Sequence, residues 1–160
     1  MNLAPLALLP KGALSILKEA ARHVLRRPVV GVAAAARTSD GRWLLIRRAD
    51  TGTWALPGGT LDWGETCKAS LVRELAEEAG VERVKVGRLV GVYSKPERDP
   101  RFHGVTVLVA CEVDVPQRPP MNPLEIREAR LFADDDLPEL AWGMRDLLDA
   151  ARGDGEAVLE

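Results

Sequence analysis

The chain has 160 residues, 46% of them hydrophobic and 29% charged, with a formal net charge of -2. That length suits one domain with its own core, and the composition excludes a disordered or membrane-embedded chain. The slightly acidic balance supplies no field to hold a nucleic-acid polymer by its phosphates. Cys67 and Cys111 are far apart and share no CxxC spacing, which points to reduced thiols in a cytoplasmic protein.

In chain order, the first segment, "MNLAPLALLP", lacks a basic start and is broken by Pro5 and Pro10, so it reads as an extension and not a signal segment. "GALSILKEAARHVLRR" places Leu14, Leu17 and Ala21 at helical spacing, with Val24 or Leu25 to follow, and predicts an amphipathic helix ending before Pro28. Its apolar stripe is expected to pack on the domain or in a homodimer, and His23 on it reads as structural. "VVGVAAAAR" and "RWLLIRR", separated by "TSDG", predict two antiparallel strands around an Asp40-Gly41 hairpin turn. A turn-rich "ADTGTWALPGG" leads to a helix from an N-cap at Thr66 to Ala79, with Gly80 as its C-terminal cap. Beyond it, "RVKVGRLVGVYS" and "GVTVLVACEVDV" read as strands joined by the loop "KPERDPRFH", and "EIREARLF" as another strand after a proline-stiffened loop. A final helix is expected over about 137–151. The organisation is thus an N-terminal helical extension at 1–27, one domain at 28–153 and a flexible tail at 154–160. The element order implies an α/β (α+β) domain, a mixed sheet covered by helices on its faces.

The central helix breaks local rules. At about 100° per residue, Ala69, Leu71, Val72, Leu75, Ala76 and Ala79 gather on one half and Ser70, Arg73, Glu74, Glu77 and Glu78 on the other. Glu74 and Glu78 are spaced i, i+4, and like charges there destabilise an isolated helix by a few tenths of a kcal/mol. Glu77 and Glu78 also occupy the last turn, where the macrodipole favours cations by roughly 0.3–1 kcal/mol. Solvated surface charge is one explanation. The other is a functional site in which a hard divalent cation supplies the missing counter-charge, with Gly58 and Gly59 letting the backbone approach closely.

Gly59, Glu65, Arg73, Glu74, Leu75, Glu77, Glu78, Gly80 and Val81 match G-x5-E-x7-R-E-U-x-E-E-x-G-U, where U is a bulky aliphatic. This resembles the signature of the Nudix hydrolase family. The flanking "RWLLIRR" and "GTWALPGG", and the later "EIREARLF" and "DDLPEL", resemble segments that enter the box and close that fold, so the likeness runs over about 29–140. The resemblance implies a Nudix-type α/β/α sandwich and a phosphoanhydride hydrolase. Such an enzyme uses Mg2+, with Mn2+ as substitute, to cleave a nucleoside diphosphate linked to another group. It also implies site roles. Glu74 and Glu78 would be metal ligands, Glu77 a ligand or a holder of metal-bound water, and the Gly58 or Gly59 carbonyl a further ligand. Glu65 and Arg73 would support the loop and helix. Glu74, Glu77 and Glu125 are the catalytic candidates; Glu125 matches the later glutamate that family members recruit as base, with Glu128 and Glu97 behind it.

Pro96 follows Val81 at a spacing that resembles the ADP-ribose and nucleotide-sugar pyrophosphatases of the family. Arg98, Arg101 and His103, with Arg47 and Arg48 on the second strand, are candidates to contact a phosphate or ribose. Trp54, Trp63 and Tyr93 are candidates to stack on a base, and Trp54 is equally explained as core. The favoured substrate is ADP-ribose or a nucleotide sugar. The alternatives are a nucleoside triphosphate pyrophosphohydrolase that sanitises the nucleotide pool and a non-catalytic nucleotide sensor of the same fold.

Overall fold

A computed structural model describes Ile16, residues 27–99 and residues 102–160. The expected N-terminal helix, His23 and Arg101 lie outside the described residues. Among the described residues the elements are β1 (Val29–Arg37), β2 (Trp43–Arg48), β3 (Trp54–Ala55), β4 (Gly58–Thr60), α1 (Cys67–Ala79), β5 (Val84–Tyr93), β6 (Gly104–Val113), β7 (Ile126–Phe132), α2 (Met144–Arg152) and β8 (Val158–Leu159), with a 3-10 turn at Pro96–Arg98. The strands form one 8-stranded mixed sheet in the order β3-β2-β1-β6-β5-β8, with β4 also on β1 and β7 also on β2. β1 runs parallel to β6, and β5 parallel to β8; the other pairings are antiparallel.

Uninterrupted apolar runs form β1 and β2 because both faces of the sheet are covered. Val32, Ala34, Ala36, Leu44 and Ile46 turn to one side and pack with Leu71, Leu75 and Ala79 of α1. Ala33, Ala35, Trp43 and Leu45 turn to the other and pack with Leu147 and Leu148 of α2. The period of two along a strand thus divides one sequence run between two cores, giving the expected α/β/α sandwich. Both cysteines are unpaired thiols, Cys111 buried. Among the described residues no helix is long and apolar enough to cross a membrane.

Two expectations are corrected. The last helix begins at Met144 and not near Leu137, because Pro138 interrupts the pattern and Ala141 instead donates its N–H to the Trp54 carbonyl at 2.7 Å. The segment expected as a flexible tail returns to the sheet: Gly91 pairs with Val158 and Val92 with Leu159 at the free edge of β5. A further difference lies in the first hairpin. Its loop is longer than two residues, with Thr38 donating to the Arg42 carbonyl at 3.0 Å and Gly41 at φ +85°.

Candidate active site

The site lies where α1, β4 and the start of β7 converge. Thr66 caps α1 by accepting the Ala69 N–H at 3.2 Å, and Gly80 ends it in the left-handed region at φ +63°. A Cβ at Gly80 would overlap the Arg118 carbonyl, so the proline-rich loop sits directly on the helix end. There Met121 donates to the Glu77 carbonyl at 2.8 Å and Gln117 to that of Gly80 at 2.9 Å. This loop leads into β7 and carries Glu125, whose carbonyl accepts the Ala49 N–H at 2.7 Å.

Gly58 and Gly59 are glycines for two steric reasons. Gly58 has φ +154°, and a Cβ there would run into the Val32 carbonyl; a Cβ at Gly59 would overlap the Glu74 carboxylate. The missing side chains bring β4 against α1, and the Gly58 N–H donates to Glu78 Oε2 at 2.8 Å. Glu78 is only 6% exposed. Burial pushes its carboxyl from 4.5 up to about 8, against the Gly58 hydrogen bond, and the nearby charges of Glu74 and Glu125 raise it further. Arg48 is the cation whose field reaches it. The Glu74 carboxyl is also raised, first by burial; Arg73 opposes the shift, while Glu77 and Glu125 add to it. The fold therefore brings Glu74, Glu77, Glu78 and Glu125 within one another's fields, although Glu125 is far from the helix in sequence.

Arg73 joins the rest of the box. Its Nε and Nη2 bind the two Glu65 oxygens at 3.0 Å each, and its Nη1 reaches Glu74 at 2.9 Å and Glu77 at 3.3 Å. The arginine holds the Glu65 carboxyl down at about 2, and Glu65 in turn raises the guanidinium. Glu65 also accepts the Asp62 N–H at 3.2 Å, so this fork ties the loop before α1 to the helix. Among the described residues no group of three acidic, histidine or cysteine side chains is gathered closely enough to enclose an ion. Arg73 binds Glu74 and Glu77, while Glu78 is bound to the Gly58 N–H.

A cavity of about 370 Å³ opens beside Gly58, lined by Arg48, Thr53, Leu56, Arg98, Asp99 and Trp142 among others. Of the arginine candidates, Arg48 and Arg98 border it. Arg48 is bound to Asp50 at 2.9 and 3.0 Å. Arg47, one residue earlier on β2, turns elsewhere, donating to the Gly52 carbonyl at 3.0 Å and to Glu128 at 3.3 Å. That pairing occupies Glu128, and Glu97 is exposed in the 3-10 turn. His103 Nε2 donates to the Ser94 carbonyl, 2.8 Å away. Trp54 packs edge-on against Phe132 with ring centroids 4.8 Å apart, and Trp63 is fully exposed away from this cavity's lining. Sequence reasoning missed Trp142, 80% exposed at the cavity wall. The expectation of a helix over about 137–151 hid it, since an aromatic there reads as part of the helix's packing face.

The model of the NUDIX domain family matches residues 26–151. Over 106 residues the chain is 39% identical to an ADP-ribose pyrophosphatase of Methanocaldococcus jannaschii, covering 64% of this chain and 61% of that one. It is 48% identical over 80 residues to a MutT-like protein of Streptomyces ambofaciens, covering 50% of this chain and 48% of that one. The chain thus spans between about half and three-fifths of the length of these curated relatives. The crystal structure of an ADP-ribose pyrophosphatase from Streptococcus suis superposes with a TM-score of 0.67 at 29% identity, covering 84% of this chain and all of that one. With a family model matching residues 26–151, most of its length, this chain belongs to the NUDIX domain family.

Proposed function

We propose that the protein hydrolyses the phosphoanhydride of a nucleoside diphosphate linked to another group, with ADP-ribose the favoured substrate. The observation that carries this reading is the buried Glu78 carboxylate, set against Gly58 at a cavity lined by Arg48 and Arg98. A carboxyl kept this far from water, with other carboxylates in its field, is costly in an apolar core. It is suited to a site that a divalent cation completes.

The donors present fit such a cation in chemistry: the hard carboxylate oxygens of Glu74, Glu77 and Glu78 would hold it, with the Gly58 or Gly59 carbonyl a further candidate. Mg2+ is the proposed ion and Mn2+ its substitute. When bound, it supplies neutralisation of the diphosphate charge and a lowered pKa for attacking water. The remaining work belongs to the protein. Gly58 holds Glu78 in place through its N–H, and Arg73 orients Glu74 and Glu77. Arg48, already in the field of Glu78, orients a phosphate oxygen. Glu125, brought to the same cluster by the loop that caps α1, accepts the proton of the attacking water. No covalent enzyme intermediate is required, since water itself attacks phosphorus in line with the leaving oxygen.

The test is product analysis by mass after incubation with ADP-ribose and a panel of nucleotides, with Mg2+, with Mn2+ and with chelator. AMP and ribose 5-phosphate, formed only with metal, support the proposal. Nucleoside monophosphate and pyrophosphate from triphosphates would replace it with a nucleotide-pool activity, and tight binding without turnover would replace it with a sensor.

A further inference from the structure

The return of residues 158–160 to the sheet does more than extend β5. Val158 and Leu159 are largely exposed, so the strap gains little from apolar burial. Its best-satisfied group is a charge. The Glu160 side chain is 8% exposed. Oε2 accepts the Ser94 N–H and the Lys95 N–H at 3.0 Å each and Arg98 Nε at 2.8 Å. Oε1 lies 2.5 Å from Arg98 Nη2 and 3.1 Å from Lys95 Nζ. The Glu160 backbone is held as well, its N–H on the Val92 carbonyl and its carbonyl on Ser94 Oγ, both at 3.0 Å. Gly91 makes the close approach possible: a Cβ there would come within 2.7 Å of the Val158 carbonyl.

These contacts fix Arg98 on two sides. Glu160 takes Nε and Nη2, and the guanidinium lies over the Tyr93 ring at 4.9 Å. The remaining nitrogen, Nη1, points toward Gly143 and is 3.8 Å from the exposed Asp146. Arg98 lines the cavity beside Gly58 and also a smaller one, about 100 Å³, with Tyr93, Phe102 and Trp142. It therefore stands at the junction of the two. With most of its charge answered by Glu160, Arg98 does not act as a diffuse phosphate attractor. It presents one oriented N–H edge.

We propose that Glu160 is a positioning residue: by gripping Arg98 it sets the edge that meets an oxygen of the sugar-phosphate half of the substrate. This rests on the proposed activity. Glu160→Gln keeps the shape but loses the charge, and it is expected to raise KM for ADP-ribose about tenfold, the scale of one charge-assisted hydrogen bond, with kcat changed less than about twofold. Glu160→Asp recovers part of the loss. Arg98→Ala gives a similar rise, and the double variant is no worse than Arg98→Ala, because both changes remove one presentation. Calorimetric binding of ADP-ribose weakens in Glu160→Gln, whereas binding of AMP, which lacks the sugar-phosphate half, does not.

A Glu160→Gln variant with unchanged KM and a lower melting temperature would leave only a structural strap and overturn the inference. Losses that multiply in the double variant, or AMP binding that weakens in parallel, would do the same. A wild-type protein that binds ADP-ribose without cleaving it sinks the hydrolase reading, and the binding comparison still decides the role of Glu160. Failure to bind ADP-ribose at all overturns both.

Discussion

Helix α1 and strand β8 are specified in opposite ways. In α1 the cap and the arginine fork are near in sequence: Thr66 to Ala69, Arg73 to Glu65, Glu74 and Glu77. In β8 and Glu160 each important contact crosses more than sixty residues, to Val92, Ser94 and Arg98. Local contacts of fixed spacing leave a readable pattern in the chain. Long-range ones leave a short polar stretch that resembles a tail until a sheet edge gives it a partner.

That contrast can be broken or sharpened, beginning with the largest effect. Glu78→Gln is expected to lower kcat about 1,000-fold or more, read in a metal-dependent ADP-ribose assay. The same variant reports on the buried charge without metal. Because folding raises the Glu78 carboxyl from 4.5 to about 8, its contribution to stability is fully present below about pH 4.5 and is lost as pH climbs through 8. Metal-free wild type should therefore melt lower at pH 8 than near pH 5 by this group's contribution. Glu78→Gln should flatten that dependence and melt above wild type at pH 8.

Glu125→Gln tests whether a residue brought in by a distant loop shares the work of α1: a loss of about 100-fold in kcat is expected for a general base. A rate within a few fold of wild type would move that role to another group. Leu75→Ala removes a fully buried contact of α1 with the sheet and should cost about 2–5 kcal/mol in denaturant unfolding. Thr66→Ala removes the helix cap and should cost about 1 kcal/mol. At the bottom of the scale, Leu159→Ala alters an exposed side chain of β8 and should stay within about 0.5 kcal/mol. A larger loss there than at Thr66 would mean that the strap is a stability element first.

The box glutamates, the Thr66 and Gly80 caps and the strands β1, β2, β5, β6 and β7 were legible because periodicity, caps and glycine positions act locally. The division of β1 and β2 between two cores was legible only as an unbroken apolar run, and the start of α2 was misplaced because Leu137 continues a helical pattern that Pro138 and Gly143 stop. Arg47 and Arg48 look equivalent in the chain. Successive side chains of a strand point to opposite faces, and the register shift between these two against β7 adds to their separation, so Arg48 borders the cavity and Arg47 is spent on Glu128.

By itself the sequence determined the family, the helix that carries the carboxylates and the glycines that let β4 approach it, since each depends on residue type at short, fixed spacing. Only the tertiary structure decided that Glu78 is the buried carboxylate, that Glu125 joins its cluster and that Glu160 reaches back to Arg98. Burial and electrostatic coupling depend on distance through space, and the separation of residues along the chain does not encode it.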